Sequence, residues 1–286
     1  MTEKIKAIDF MGYLFTKEYF SKYWLTSPEL MKVASWWKFE DIIKKGWSVD
    51  AFVELMDRAG VEKHCMAQLK MYSYQHKKLI VDVKIDEVAK VIERHPDRFI
   101  GFAGINPFRK MEGVRELEVA IKDFGFKAAY LHVYGFGIPP NHRLFYPFYA
   151  KCAELGVPVS MQVGHSAELM PSELGRPIYM DDVALDFPEL TLIGSHTGWP
   201  WAEELIALAW KHSNVYICMD AHLPRYWDSS LVAFLKGRGQ DKVLFGTNGP
   251  LIFLAEDFLK QIEDLGLKES VKRKFLRENA IKVLNL

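Results

Sequence analysis

Histidines and amides lie at the ends of several short apolar segments of this chain. His132 and His196 each end such a segment, and Asn248 lies just beyond another. An imidazole titrates near neutral pH and can accept or donate a proton, whereas a neutral amide can only orient a partner or form hydrogen bonds. If the apolar segments are parallel strands, these groups meet at one edge, where acid–base chemistry on a small molecule becomes feasible.

The side chains at or shortly after the apolar segments are mainly imidazoles, hydroxyls and amides, with a few carboxylates and cations and one thioether. Four of them are histidines, and their convergence on one edge would form a polar site. The arginines and the lysine in the set are suited to binding a substrate carboxylate. The set comprises Asp9, Met11, Tyr13, Lys70, Asn106, Arg109, His132, Tyr134, Gln162, His165, His196, Asp220, His222, Arg225, Tyr226, Thr247 and Asn248.

The elements that would position these groups are eight short apolar segments that alternate with amphipathic segments. The apolar segments span residues 6–10, 65–69, 99–105, 128–132, 158–163, 190–196, 215–220 and 243–245. Eight strands alternating with helices predict an α/β fold, a (β/α)8 TIM barrel. An open doubly wound sheet is the alternative, but the first segment is not followed by the glycine-rich turn of a dinucleotide-binding sheet.

An irregular, aromatic-rich insertion follows the first predicted strand. It covers residues 13–47 and includes Trp24, Trp36, Trp37 and Trp47. Such a long insertion is often a lid or an interface arm, and a peripheral helical hairpin that only packs is an equal alternative. The chain shows no linker and no internal repeat beyond the strand–helix alternation, so residues 1–286 are predicted to form one domain.

Composition narrows the class of protein. The 286 residues contain 37 Lys and Arg against 37 Asp and Glu, so the basic excess expected of a partner of nucleic acid or of an anionic membrane is missing. The three cysteines have no paired metal-ligand spacing and are typical of a reducing compartment. No apolar run reaches the roughly 18 residues of a membrane span, and the N-terminus lacks a signal peptide. We expect a cytoplasmic protein with a small-molecule substrate, and a homo-oligomer, most simply a dimer.

Several segments, in their order and spacing, resemble a known family. They read AID at residues 7–9, RFIGFAGINP at 98–107, GVPV at 156–159, GSHTGWP at 194–200, NVY at 214–216 and LFGTNGP at 244–250. The chain is similar to the amidohydrolase-related (amidohydrolase 2) family of metallo-dependent hydrolase barrels. That branch includes aminocarboxymuconate semialdehyde decarboxylase and related aromatic-acid decarboxylases, hydratases and lactonases. The resemblance implies a TIM barrel and a hydrolase, with a carbon–carbon lyase as second choice.

The metal ligands that the family resemblance implies are replaced in this chain. The family's first strand carries Asp-x-His-x-His, but here Asp9 is followed by Met11 and Tyr13 at the histidine positions. Gln162 stands where the fifth strand has a histidine, and Asn248 where the eighth has an aspartate. Zinc prefers imidazole, thiolate or carboxylate ligands, which these four replacements do not provide. We therefore expect no metal and no cofactor; a displaced metal site on the remaining histidines is the alternative.

The expected activity then depends on the histidines. We predict that His196 is the general acid or base, that His165 and Asn248 complete the catalytic group, and that Asp220 or Asp9 orients a histidine. The predicted reaction is hydrolysis, or hydration or decarboxylation, of a small cyclic or aromatic carboxylic acid. The alternative is a ligand-binding pseudoenzyme on the same barrel. His64 is interpreted as a surface or helix-end residue. The predicted substrate-binding residues are Tyr13, His132, Gln162, His222, Arg225, Arg109 and Trp199.

Overall fold

Eight parallel strands form a nearly closed barrel in the computed structural model, which describes residues 5–250 and 258–286. The order of strands around the barrel is β1-β2-β5-β6-β7-β8-β9-β10, and a separate antiparallel pair is made by β3 and β4. The TIM barrel predicted from the alternation is therefore confirmed. The strands are β1 Ala7–Gly12, β2 Val61–Ala67, β3 Lys70–Tyr72, β4 Leu79–Asp82, β5 Phe99–Gly104, β6 Ala128–His132, β7 Val159–Gln162, β8 Leu192–Ser195, β9 Val215–Met219 and β10 Val243–Phe245.

The barrel closes between its first strand and the segment after its last strand. A parallel bridge joins Gly12 to Gly249, and the Asn248 backbone N–H donates to the Met11 carbonyl at 2.8 Å. The Tyr13 N–H donates in turn to the Gly249 carbonyl, also at 2.8 Å. Because closure uses the residues that follow β10, Asn248 is fixed at the carboxyl-terminal mouth of the barrel, where barrel enzymes carry their sites.

Helices surround the barrel, and their boundaries follow ordinary capping chemistry. Ser48 accepts a hydrogen bond from the Ala51 N–H at 3.2 Å at the start of one helix, and Gly60 ends it in the left-handed region. Within the described residues, none of the helices has the length and apolar character needed to cross a bilayer. The helices are α1 Lys17–Tyr19, α2 Pro28–Trp36, α3 Glu40–Lys45, α4 Val49–Ala59, α5 Ile85–Arg94, α6 Lys110–Lys122, α7 Tyr146–Leu155, α8 Met180–Asp186, α9 Ala202–Lys211, α10 Ser229–Lys236, α11 Phe258–Asp264, α12 Glu269–Arg273 and α13 Asn279–Leu284.

The sequence predicts two helices at the end of the chain. The first is expected over residues 251–264; its described part, residues 258–264, coincides with α11, and residues 251–257 lie outside the described residues. The second was expected as one helix over residues 268–283. It is instead α12 and α13 joined by a π-helical segment, Lys274–Glu278. This segment packs Phe275 edge-on against Phe245 at the end of β10, with ring centroids 5.8 Å apart.

The insertion at residues 13–47 folds into α1 to α3 and a π-helical segment, Phe20–Trp24. Its aromatic residues pack on the body of the barrel: Phe15 stacks on Phe52 of α4 with ring centroids 3.7 Å apart. Tyr23 donates to the Asp82 carbonyl at 2.7 Å and so ties the insertion to β4. The insertion therefore packs as a helical layer on the barrel.

The β3–β4 hairpin was not predicted, and it places Lys70 differently from the sequence expectation. Lys70 is almost fully buried and donates to Asp82 Oδ1 at 2.7 Å, to the Val83 carbonyl at 2.9 Å and to Glu116 Oε1 at 3.0 Å. An ammonium group has three N–H donors, and all three are used. Lys70 therefore stabilises the hairpin against α6 and is not available to a substrate carboxylate.

Candidate active site

A pocket that opens to solvent lies at the carboxyl ends of the strands. Its floor combines strand-end histidines and amides, and its outer wall is aromatic and comes from the insertion. An apolar cavity with a few convergent polar groups is the usual form of a small-molecule site. Seven predicted site residues line it: Tyr13, His132, Gln162, His165, His196, His222 and Asn248. From the insertion come Tyr13, Leu14, Tyr19, Phe20, Trp24, Leu30, Val33 and Trp37.

The two arginines predicted to bind a substrate carboxylate are not among the lining residues. Arg109 donates to Glu112 at 2.7 Å and lies 3.4 Å from Glu116, so its guanidinium faces α6. Arg225 lies over the Tyr226 ring, 5.0 Å from its centroid. Each arginine belongs to a short helical turn after its strand rather than to the strand end itself.

Trp199 is the third predicted residue that does not line the pocket. It is 46% exposed, and its ring contacts His165 edge-on, with centroids 4.9 Å apart. It also lies 6.1 Å from the His222 ring. Trp199 therefore packs on the outer side of two pocket histidines and can restrict their rotation, without being placed to touch a ligand in the pocket.

A histidine–carboxylate pair at the edge of the pocket joins His196 to Asp220. Asp220 follows β9, is fully buried and accepts the His196 backbone N–H at 2.6 Å through Oδ1. Its other oxygen, Oδ2, lies 2.9 Å from His196 Nδ1 but without hydrogen-bond alignment. The carboxylate therefore faces one ring nitrogen, which leaves Nε2 for a ligand. A histidine held by a buried carboxylate is the usual arrangement of a general acid–base catalyst.

Non-glycine residues at this mouth adopt left-handed backbone conformations. The φ angles are 69° at His196, 59° at Thr197, 63° at Ala221 and 58° at Asn248. Residues with a Cβ rarely occupy this region, and those that do cluster at functional sites. The conformation turns the chain sharply at the ends of β8, β9 and β10, and the side chains of His196 and Asn248 consequently border the pocket.

His165 and His222 form a second group, in which burial suppresses the charge. Their rings lie 6.2 Å apart and nearly parallel. Burial lowers the pKa of His222 to about 4, and the neighbouring His196 and His165 reinforce the shift. Burial likewise lowers the pKa of His165, with a further contribution from His196 and a partial opposing effect of Glu168. At neutral pH the two rings are uncharged and can bind a ligand by hydrogen bonds only.

A chain of hydrogen bonds crosses the positions where the resemblance implied a metal. Tyr130 Oη donates to Gln162 Oε1 at 2.8 Å, so the Tyr13 hydroxyl must donate to Tyr130 Oη, 2.7 Å away. Burial raises the pKa of both tyrosines well above the usual range, which keeps the chain neutral. The amide oxygen of Gln162 is thus occupied, and its N–H groups are left for a ligand. Tyr130 was not predicted, because it reads as an ordinary strand residue.

The residues at those positions do not fit a divalent metal. Met11 is fully buried and offers only a thioether. The side chains of Tyr13 and Gln162 are both hydrogen-bonded to Tyr130. Asn248 is a neutral amide. Over residues 5–250 and 258–286, no three His, Cys, Asp or Glu side chains are grouped as metal ligands. The donor set lacks the imidazole and carboxylate ligands that zinc or manganese would need.

Glu168 is a pocket residue that the sequence reasoning missed. It lies in the loop after β7, lines the pocket and has a side chain that is only 14% exposed. Burial alone would raise its pKa, but the neighbouring His132 imidazole and the hydrogen bond from Ser166 outweigh burial and lower the pKa to about 2. Its only sequence signal is an acidic residue shortly after His165, in a segment with no strand or helix periodicity.

The prediction for His64 was wrong, because this residue is fully buried in β2. Its Nδ1 lies 2.8 Å from Asp9 Oδ2. Asp9 also accepts the Thr247 N–H at 2.8 Å and the Thr247 hydroxyl at 2.6 Å. Asp9 therefore orients His64 and supports the segment that carries Asn248. The carboxylate that orients a pocket histidine is Asp220.

Unpartnered atoms mark where a ligand would bind. Among the described residues, the buried Nδ1 and Nε2 of His132 and the buried Oδ1 of Asn248 have no hydrogen-bond partner. Buried polar atoms are nearly always paired in folded proteins, because an unpaired one costs about 1–3 kcal/mol. Since these side chains line the pocket, a bound molecule would supply the missing partners.

Comparisons with solved structures identify the same barrel in other proteins. An uncharacterised TIM-barrel protein of Bordetella bronchiseptica is 25% identical over 98% of both chains, with a TM-score of 0.78. The 5-carboxyvanillate decarboxylase of Novosphingobium aromaticivorans, solved with manganese and 4-hydroxy-3-methoxy-5-nitrobenzoic acid, is 16% identical over 100% of both chains (TM-score 0.76). The 2,6-dihydroxybenzoate decarboxylase of Rhizobium is 16% identical over 99% of both chains (TM-score 0.72).

At 16% identity the likeness to the two decarboxylases shows the fold alone. The sequence itself gives the family, because the sequence model of the family described as amidohydrolase matches residues 59–286, most of the chain. The matched range starts at the end of α4 and includes every strand of the barrel except β1. The chain therefore belongs to the amidohydrolase family.

Proposed function

We propose that this protein is a metal-independent lyase that removes the carboxyl group from a small aromatic acid, with His196 as the proton-transferring residue. The observation that carries the proposal is the His196–Asp220 pair, in which a fully buried carboxylate lies 2.9 Å from a histidine that borders the pocket. The decarboxylases of the same fold supply the reaction class, since their names state that they act on aromatic acids.

The chemistry of this reaction needs one proton and no redox partner. His196 Nε2 donates a proton to the ring carbon that bears the carboxylate. The bond between that carbon and the carboxylate then breaks, its electron pair returns to the ring, and carbon dioxide leaves. His196 regains its proton from water. Asp220 stabilises the protonated imidazole and fixes which ring nitrogen faces the substrate, as a carboxylate does for histidine in other acid–base enzymes.

Substrate binding would rely on stacking and neutral hydrogen bonds. Tyr19, Phe20 and Trp24 supply aromatic surface, and the described lining contains neither lysine nor arginine. The N–H groups of Gln162 and the uncharged ring of His222 are the donors for a carboxylate. A carboxylate held without a cation in an apolar pocket is poorly solvated, and its conversion to carbon dioxide relieves that cost.

Hydrolysis of a cyclic ester is the second candidate, and the unpartnered Oδ1 of Asn248 favours it. In that reaction His196 takes a proton from water, the resulting hydroxide attacks the carbonyl carbon, and the ring C–O bond breaks with the proton returned to the leaving oxygen. Asn248 Oδ1 would accept a hydrogen bond from the attacking water. Both reactions use His196, as proton donor in decarboxylation and as proton acceptor in hydrolysis, and they differ in product, since only decarboxylation releases carbon dioxide.

The test is a screen of the intact protein against small aromatic acids and their lactones, with carbon dioxide and product acids measured separately. We expect carbon dioxide release that survives prolonged treatment with a chelator. We expect His196→Asn to lower kcat by roughly 100- to 10,000-fold, the usual contribution of a general acid or base. His95→Asn is the matched control, because His95 also pairs with an aspartate, Asp50, but lies at the surface.

Three outcomes would contradict the proposal. Loss of activity on chelation together with a stoichiometric metal in the protein would contradict metal independence. Unchanged kcat in His196→Asn would contradict the assigned role. Retention of an aromatic acid without consumption would instead support the binding pseudoenzyme.

A further inference from the structure

We propose that Glu168 and His132 form a subsite that recognises a hydrogen-bond donor of the ligand, distinct from the His196–Asp220 pair. This subsite accepts a hydroxyl or amino group on the ligand's ring and rejects a second carboxylate. The inference deepens the proposed function, on which it rests for the ligand being a small aromatic acid. It assigns a specificity-determining role to a loop residue, Glu168, and to a strand residue, His132.

The first argument is the state of the Glu168 carboxylate. Ser166 Oγ donates to Glu168 Oε2 at 2.7 Å and so occupies one oxygen. The other oxygen, Oε1, is 3.8 Å from His132 Nε2, which is longer than a hydrogen bond. Among the described residues, Oε1 is therefore an acceptor without a close donor. Because both residues line the pocket, a ligand can reach this oxygen.

The second argument is the state of His132. It ends β6, is 2% exposed, and has no hydrogen-bond partner for either ring nitrogen among the described residues. Its ring is held edge-on against Tyr134, with centroids 5.3 Å apart, so it is fixed by packing rather than by polar contacts. A hydroxyl placed beside the two residues can donate to Glu168 Oε1 and accept from His132, which satisfies both at once.

The third argument is charge. Glu168 holds a negative charge at neutral pH, since its pKa is lowered to about 2. Burial, and next the Glu168 charge, raises the pKa of the neighbouring Tyr134, which is consistent with a carboxylate directed into the protein. An anion in a poorly solvated pocket repels another anion and attracts a hydrogen-bond donor. A ligand must therefore keep its own carboxylate away from Glu168.

This subsite predicts a ligand unlike 5-carboxyvanillate, whose name describes two carboxyl groups. The preferred ligand has one carboxylate and a ring hydroxyl or amino group that is directed at Glu168 and His132. Glu168 acts here through a direct hydrogen bond to the ligand and does not replace His196 in proton transfer.

The experiment is calorimetric binding to the intact protein at pH 7, with benzoate, the three monohydroxybenzoates and isophthalate as probes. We expect at least one hydroxybenzoate to bind about ten times more tightly than benzoate, the effect of one hydrogen bond to a charged group. We expect isophthalate to bind more weakly than benzoate. Glu168→Gln keeps the shape and the Ser166 contact but removes the charge, and it should abolish both differences.

Glu173→Gln is the matched control, because it makes the same change in the same loop. Glu173 accepts a hydrogen bond from Tyr179 Oη at 3.2 Å and does not line the pocket, so this variant should keep the wild-type pattern. The inference is overturned if no hydroxybenzoate binds more tightly than benzoate, if no probe binds, or if Glu168→Gln keeps the preference. The first two of these outcomes are measured on the wild-type protein, so they test the inference even if Glu168→Gln does not fold.

The same experiment separates this inference from the proposed function. A Glu168-dependent preference for hydroxybenzoates without any turnover would support the subsite and contradict the lyase. Turnover that depends on His196 but shows no hydroxyl preference would support the lyase and contradict the subsite.

Discussion

Two histidine–aspartate pairs lie in the barrel interior, and they differ in how completely their atoms are satisfied. In the first pair, Asp9 contacts His64 Nδ1 at 2.8 Å and also accepts both the N–H and the hydroxyl of Thr247. In the second pair, Asp220 accepts the His196 N–H, but its Oδ2 and the His196 Nδ1 lack an aligned hydrogen bond. The first pair is wholly enclosed, whereas the His196 ring borders the pocket.

The difference indicates two uses of the same residue types. A saturated, enclosed pair contributes to the stability of the fold, because breaking it leaves buried donors without an acceptor. A pair with unused capacity beside a cavity contributes little stability and is available for chemistry. Burial alone does not separate the two, since both aspartates are fully buried. The number of hydrogen bonds to each carboxylate does separate them.

The largest expected effect comes from Asp220→Asn. The asparagine keeps the acceptor for the His196 N–H but no longer stabilises a protonated His196, so kcat should fall by roughly 100- to 10,000-fold. The free energy of unfolding should stay the same or rise, because an incompletely paired buried charge has been removed. Steady-state kinetics and urea unfolding measure the two quantities. A large loss of stability with intact activity would reverse the assignment of the two pairs.

Asp9→Asn should show the opposite pattern. The amide N–H groups of the new side chain would face the donors of Thr247 and His64, so we expect the free energy of unfolding to fall by about 2–4 kcal/mol. Tryptophan fluorescence during urea unfolding gives this value. Asp50→Asn breaks the exposed pairs with Arg94 and His95 and serves as control, with a much smaller expected loss, because solvent screens exposed ion pairs. Equal losses in the two variants would show that enclosure of the Asp9 pair is not what stabilises the fold.

His222→Asn should produce a smaller effect that depends on pH. Because the pKa of His222 is lowered from 6.5 to about 4 in the folded protein, the unfolded chain binds the extra proton between these values. The wild-type free energy of unfolding therefore decreases as pH falls through this window. Replacing His222 should remove about 2 kcal/mol of that decrease at pH 5. Urea unfolding at pH 7 and pH 5 tests this, and the exposed His76, changed to Asn, should leave the difference unaltered.

Much of the fold could be predicted because strand–helix alternation is a local property of the sequence. The segments 128–132 and 243–245 coincide with β6 and β10. The second strand was placed late, at 65–69, because β2 begins with Val61, Glu62 and Lys63. Charged residues hid its amino-terminal half, and the same polar surroundings led to the wrong surface interpretation of His64.

The site could be predicted most directly where a strand sets the direction of a side chain. His132 and Gln162 end strands, and the alternation of the pleat directs them to the mouth. Arg109 and Arg225 follow their strands by a turn, where no periodicity fixes direction, and neither lines the pocket. Glu168 lies in a loop after β7 and becomes a site residue only through tertiary contacts with Ser166 and His132.

The left-handed residues at the barrel mouth have a consequence for how this protein would respond to selection for heat resistance. Ala221, with φ of 63°, borders the pocket and pays a conformational penalty on the order of 1–2 kcal/mol. Glycine at that position would adopt the same backbone without the penalty. Thermal selection applied without a test of activity would therefore favour changes in the wall of the pocket itself, and gains in heat resistance there would come with a wider and less specific site.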